Sequence, residues 1–438
     1  MDRRDLLKRT GAISAGAALT GGAIPALGIS AAMAAQEEEF LVWTSFNDEV
    51  RGGIIEGLGA AFGEANSVAF AHRGWTTDEL SDALPRSVDS DQGPAVAQVN
   101  NGEFLAGPMA RGGQIISLAD YDAEYGWSER YAPSLMARCM LSADGTVFGE
   151  GELWGLPAES EIVGFYYNKQ KFADNELEVP ATLEEFETLL GALREAGEEP
   201  LVFGNLDGWQ AIHLFGELHG TNTTREFLDG LIYRRGDVDF SDPSILEAAN
   251  KVNEWNEAGY FVEGFDGITG DESTSLFTTG VGGILMQGSW GAGAVLAELG
   301  DNAGFFLMPP AAEDAPALHV GGVGLPFSIT ANAADPDLAA SFIDTMVSER
   351  AFAAFIESGS LPIGEIAADS IEEGSVSGDL YTGWNAALAA DAVGHYMDWA
   401  APDFYDVLTG ALQELLGGQV TAEEFQATLQ EFYAASFA

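Results

Sequence analysis

The stretch that most constrains this chain lies between residues 153 and 171. Gly155 and Pro157 bend or end regular structure there. Residues 162–167 then form an apolar and aromatic run with the composition of a buried strand. Glu159 and Glu161 stand at the seam between the two halves. A second unit of the same kind opens the folded part. Residues 40–44 read as a strand, 45–49 as a polar loop, and Ile54, Ile55, Leu58 and Phe62 as the apolar side of a helix. Strand, polar loop and helix in this order predict an α/β fold, in which ligands bind at the carboxyl ends of strands. Trp43 and Ser45 are therefore expected to face a site.

A length of 438 residues suffices for two domains, each with its own core. Against 18 Lys and Arg stand 69 Asp and Glu, a net charge of −51. Such a surface repels phosphate backbones and anionic lipid, which excludes both as direct partners. It also suits a salt-rich medium, where screening acts over a few ångströms. Cys139 is the single cysteine, so no intrachain disulfide and no cysteine-rich metal site can form, and a buried core position is expected for it. Residues 1–35 combine the paired Arg3 and Arg4, a Gly/Ala-rich apolar run and small residues at 32–34. They read as an export signal, twin-arginine-like but departing from that pattern at Asp2 and Leu6, which leaves ordinary secretion as the alternative, with no cysteine for a lipid anchor.

Further strands are expected at 68–72, 94–101 and 200–203, the second and third leading into the polar loops of Asn100, Asn101 and Glu103 and of Asp207 and Trp209. Thr182 with Glu185, and Thr421 with Glu424, have capping-box spacing and open helices. Asp242–Pro243 and Asp335–Pro336 are N-cap and first-turn proline pairs. No nucleophile-elbow, zinc-protease or phosphate-loop motif is present, and no dinucleotide fingerprint. Asp120 to Glu124 lack the glycine a calcium loop needs. No catalytic residue, metal or cofactor is expected. Paired carboxylates such as Glu159 and Glu161 would suit a glycosidase, but with so many acidic residues chance pairs abound.

Four ordered segments resemble the extracellular solute-binding proteins of carbohydrate ABC importers. They are Leu156–Pro157 followed by Tyr167–Asn168–Lys169, the run from Phe277 to Gly288–Ser289–Trp290, the Gly321–Gly322 pair, and Gly359 to Leu361–Pro362. A Gly-x-Val-Thr-x-Glu-Glu ending at 418–424 adds to them. Ala95, Leu183 and Gly282–Gly283 depart from the family pattern. The resemblance implies a two-lobed α/β fold, each lobe a mixed sheet flanked by helices. Lobe I would comprise 36–160 plus 310–360, and lobe II 161–309 plus 361–438, with three hinge crossings near 158–162, 308–321 and 360–363. It implies a soluble, exported, monomeric protein that captures a sugar between its lobes and delivers it to permease subunits in the membrane. Ligand contacts are expected from Trp43, Ser45, Asn100, Asn101, Glu161, Trp209, Trp290, Gly322, Trp399 and Tyr405. Nine tryptophans would also suit a cage for an osmolyte such as a betaine.

Overall fold

The computed structural model describes residues 39–437 apart from 91 and 314. The export segment expected at 1–35 lies outside the described residues. The strands are β1 (Glu39–Thr44), β2 (Ala69–Gly74), β3 (Val96–Gln98), β4 (Met140–Leu141), β5 (Glu152–Leu153), β6 (Ser160–Asn168), β7 (Leu201–Val202), β8 (Ile284–Gly288), β9 (Ala303–Phe306), β10 (Gly321–Val323) and β11 (Phe327–Ile329).

Two sheets organise them. The first runs β11-β3-β1-β2, with β1 parallel to β2 and β3, and β11 antiparallel to β3. Parallel pairing needs a crossover. The helix Glu49–Asn66 supplies it between β1 and β2, burying Ile55, Leu58 and Phe62. Phe62 packs against Phe40 and Phe342 at ring distances of 5.4 and 5.3 Å. Asp48 starts the helix by accepting from the backbone N–H groups of Val50 and Arg51. That is the N-cap role for which a short carboxylate is suited.

The second sheet is built on β6, the strand expected at 162–167. β8 pairs antiparallel along one edge of β6, and β10 and β9 follow one another along the other. β7 lies parallel on the far side of β8. A core of aromatic rings backs this sheet, with Phe165, Phe186 and Phe306 in mutual contact at 4.8–5.4 Å and Trp255 5.5 Å from Phe186. Each such ring removed from water contributes roughly 1.5–3 kcal/mol. Trp255 is a core residue whose indole N–H donates to Glu187 Oε1 at 2.9 Å. The expected caps form at Asp242, Asp335, Thr182 and Thr421. At Thr182 the reciprocal half differs, because the Glu185 carboxylate accepts from Ala181 N–H one residue earlier.

The chain segments around 156–160, 327 and 361–362 run side by side. Leu156 bridges Phe327, Glu159 bridges Pro362, and Ser160 N–H donates to the Leu361 carbonyl at 2.8 Å. The chain leaves the second sheet at Val323 and enters the first at Phe327. At Gly321 and Gly322, φ is 158° and 131°, and a Cβ on Gly322 would stand 2.4 Å from Arg138 Nε. Only glycine allows that approach.

Candidate functional site

The carboxyl ends of β1, β2, β3, β7 and β8, with the amino end of the antiparallel β6, face one cavity. From the first sheet come Ser45 after β1, Thr76, Thr77 and Asp78 after β2, and Asn100 and Asn101 after β3. Ser45 is fixed from below, its N–H and Oγ both donating to Gln98 Oε1 at 2.7 and 3.0 Å. From the second sheet come Glu161 on β6, Asp207 and Trp209 after β7, and Trp290 after β8. Residues 396–405 supply the last wall, and the enclosed volume is ≈ 270 Å³. A wider groove of ≈ 800 Å³ lies between residues 305–319 and the helix Val376–Ala389. It is lined mainly by Pro, Ala and Gly and lacks the convergent polar groups that mark a small-molecule site.

Aromatic rings form one continuous side of the 270 Å³ cavity. Trp209 and Trp290 meet edge to face at 5.9 Å, and His213 packs against both at 5.1 and 5.5 Å. Tyr396 continues the wall, 5.1 Å from His213 and 5.0 Å from Trp399. Trp399 is held by its indole N–H, which donates to Asn100 Oδ1 at 3.1 Å. Tyr405 closes the far end, its ring 5.1 Å from Phe104 and its hydroxyl donating to the Asp207 carbonyl at 3.1 Å. Such faces stack on the C–H side of a ring-shaped ligand while polar groups at their edges fix its orientation.

The polar floor is dominated by carboxylates. Arg51 binds Asp48 at 2.7 Å and Glu159 at 3.3 Å. Burial alone would lower its pKa, but Glu159 and Asp48 more than offset this and raise it. Glu161 Oε2 accepts from the Tyr396 hydroxyl at 3.1 Å. Burial first, and Glu159 beside it second, push the Glu161 carboxyl up to about 8. Burial likewise pushes Glu159 to about 7 and Asp398 to about 7. His213 is driven down to about 3 by burial and stays neutral. Among the described residues no group of three or more His, Cys, Asp and Glu is placed to hold a metal ion.

Eight of the ten residues expected to touch ligand line this cavity: Ser45, Asn100, Asn101, Glu161, Trp209, Trp290, Trp399 and Tyr405. Trp43 and Gly322 do not. Trp43 is buried beside Trp75, ring centres 4.8 Å apart, because alternation along β1 turns it away from the strand's end. Gly322 pairs with Glu161 across β10 and β6 and lies over Arg138. It shapes the floor from behind.

Sequence reasoning missed Arg51, Asp78, His213, Asp271, Tyr396 and Asp398, all of which line the cavity. His213 had a usable signal, standing four residues after Trp209 on one helix and so on the same face. Asp398 adjoins Trp399 in sequence. Nothing local marks Arg51, Asp78 or Asp271 among so many charged positions.

Two α/β sheets whose strand ends turn to a shared aromatic and acidic cavity define a ligand-binding protein of the two-lobed type. The chain belongs to the bacterial extracellular solute-binding proteins, whose family model matches residues 72–351. The osmoprotective compounds-binding protein GgtB of Synechocystis sp. is 26% identical over 302 residues, 66% of either chain. The chain spans between about half and two thirds of the length of the curated relatives it matches. Among solved structures, one described under xylan utilization by Caldanaerobius polysaccharolyticus superposes with a TM-score of 0.78 at 18% identity, covering 90% of this chain and 99% of its own. A chitin oligosaccharide binding protein gives 0.78 at 21% identity, covering 91% and 98%. These likenesses establish the two-lobed fold. The family is one of extracellular solute-binding proteins, and among the described residues no helix is long and apolar enough to cross a membrane.

Proposed function

We propose that this chain is the substrate-capturing component of an ABC importer and that its ligand is a sugar of one or two rings. The observation that carries the reading is the wall of Trp209, His213, Trp290, Tyr396 and Trp399 opposite hydrogen-bonding Ser45, Asn100, Asn101 and Glu161. Rings stack on pyranose faces, and carboxylates and amides bind hydroxyls. At ≈ 270 Å³ the cavity lies near the lower end of the roughly 300–1,000 Å³ usual for ligand sites, which favours a short ligand. The structural relatives include a chitin oligosaccharide binding protein and a raffinose-bound protein, which supports a carbohydrate.

In this reading residues 36–160 plus 310–360 and residues 161–309 plus 361–438 move as two lobes. Strand β10 favours drawing the middle boundary later, after Val323. Closure about the linking stretches buries the sugar and presents a surface to the permease subunits. The protein acts as an exported monomer, freed from its signal at 1–35, and performs no turnover.

A second reading has one observation behind it, the relative named for osmoprotective compounds. A betaine fits the cavity less well. Its carboxylate needs a cation, and Arg51 is already shared between Asp48 and Glu159. Calorimetric titration at high salt against mono- and oligosaccharides and glycine betaine tests both. Micromolar binding of a sugar, lost in Trp290→Ala, is the expected result. Binding of betaine alone, or release of product from a labelled oligosaccharide, would sink the proposal.

A further inference from the structure

The charged groups that line the cavity are unequal. Asp78, Asp207, Asp271 and Asp398 supply carboxylates beside the protonated Glu161, and Arg51 is the one cation among the described lining residues. Its guanidinium is held between Asp48 and Glu159, so its charge is compensated before any ligand arrives. An acidic lining on an acidic protein would mean little alone. Asp398 gives it meaning. The residue is 6% exposed, lines the cavity, and receives no hydrogen bond apart from one from its own backbone N–H. Burying a carboxylate without partners is costly, and buried carboxylates are normally paired. Asn101, 2% exposed and in the same lining, also has a side-chain amide with no protein partner. Trp399 follows Asp398 directly and Tyr396 stands two residues before it; their rings meet at 5.0 Å, forming a face that attracts cations.

We infer that the site is built for a carbohydrate carrying a protonated amine, an amino sugar, whose ammonium group is received by Asp398 against the Tyr396–Trp399 wall. This rests on the sugar reading above and names its substrate class. The ammonium supplies both the donors and the charge that Asp398 lacks, while the hydroxyls and the ring are left to Asn100, Asn101, Glu161 and the indoles. Burial holds the Asp398 carboxyl near 7, and a cation in contact would bring it back toward the ordinary range. Anionic sugars are excluded by the same arrangement, because neither Arg51 nor the neutral His213 has charge to spare.

The test is calorimetric titration of the protein with matched ligands: glucosamine against glucose, the deacetylated chitin disaccharide against its N-acetylated parent, then glucuronate and choline. The amine should bind about tenfold tighter than its neutral partner, as a charge-assisted hydrogen bond does over a neutral one. Raising NaCl from roughly 0.1 M to roughly 1 M should weaken the amine and leave the neutral sugar unchanged. In Asp398→Asn the ratio of the two affinities should fall below about threefold. The salt comparison needs no variant, so a misfolded Asp398→Asn would not shield the idea. Neutral and amino forms binding equally, with no difference in salt response, would overturn this inference and leave the sugar reading standing. Tight binding of choline with no sugar bound would overturn both.

Discussion

Gly288→Ala displaces the Trp290 ring without removing it. A Cβ at position 288 would lie 2.0, 2.1 and 2.3 Å from Cζ3, Cη2 and Cε3 of that indole. Carbon atoms rest about 3.5–4.0 Å apart, so the ring must retreat by about 1.5 Å. The backbone does not object, because Gly288 has φ −79° and ψ 174°, which alanine adopts freely. The strain falls on the indole, which is pinned from the side by Trp209 and His213 and yields toward the cavity. A sugar ring covering about 80 Å² of that face gains about 2 kcal/mol from burial at about 25 cal/mol per Å². The aromatic contact adds about 1 kcal/mol. Loss of the whole stack, as in Trp290→Ala, is then about 150-fold in Kd. Gly288→Ala should lose half or more of that energy, a weakening of about 10- to 100-fold. Because the ring relaxes into open space, the overpacking cost should stay near the low end, about 1 kcal/mol, and Tm should fall by under about 3 °C. Titration calorimetry on the sugar identified for the wild type, with a thermal melt beside it, checks both numbers. Wild-type affinity in Gly288→Ala alongside a crippled Trp290→Ala would refute the reasoning.

Three further outcomes are expected. Arg138, 1% exposed, donates to the carbonyls of Ser134, Val393 and Gly394; Arg138→Met should cost about 3 kcal/mol in denaturant unfolding by leaving those acceptors bare, and a loss below 1 kcal/mol would contradict that role. Cys139 is buried and its thiol is pushed up by burial, so a thiol reagent should label it only as fast as the protein unfolds; prompt labelling of native protein would contradict its burial. Native Glu159, Glu161 and Asp398 hold protons to about 7, 8 and 7, whereas unfolded carboxyls release theirs near 4, so stability should fall as pH rises from 6 to 8.5. Buried His213, His219 and His395 are lowered to about 3, 4 and 3, so the unfolded chain alone takes up their protons below about 6.5. From about 6.5 down to about 4.5 the two effects oppose and stability should be nearly flat, and below that range it should fall. Melting curves from pH 4 to 9 that rise steadily toward pH 9 would contradict this assignment.

Signals carried by neighbouring residues are legible in the sequence. Gly155 and Pro157 ahead of an apolar run marked β6, and Asp242–Pro243 and Thr421 with Glu424 marked helix starts, because caps and turns depend on spacings of a few residues. The polar ends of strands pointed to Ser45, Asn100, Asn101 and Trp209, since α/β sheets present those ends to ligands. Trp43 lies outside the cavity lining, because the end of a strand is legible in sequence whereas the face its side chain takes depends on what packs on either side. Pairing across the chain was decided only in three dimensions. Trp399 meets Asn100 at a separation of 299 residues, and Tyr396 meets Glu161 at 235. The sequence by itself determined an acidic α/β chain, its helix starts and most of its aromatic candidates. Tertiary structure alone decided that Arg51 is spent on Asp48 and Glu159 while Asp398 is left unpartnered, because charge compensation depends on distance in space and 69 acidic residues look alike along a chain.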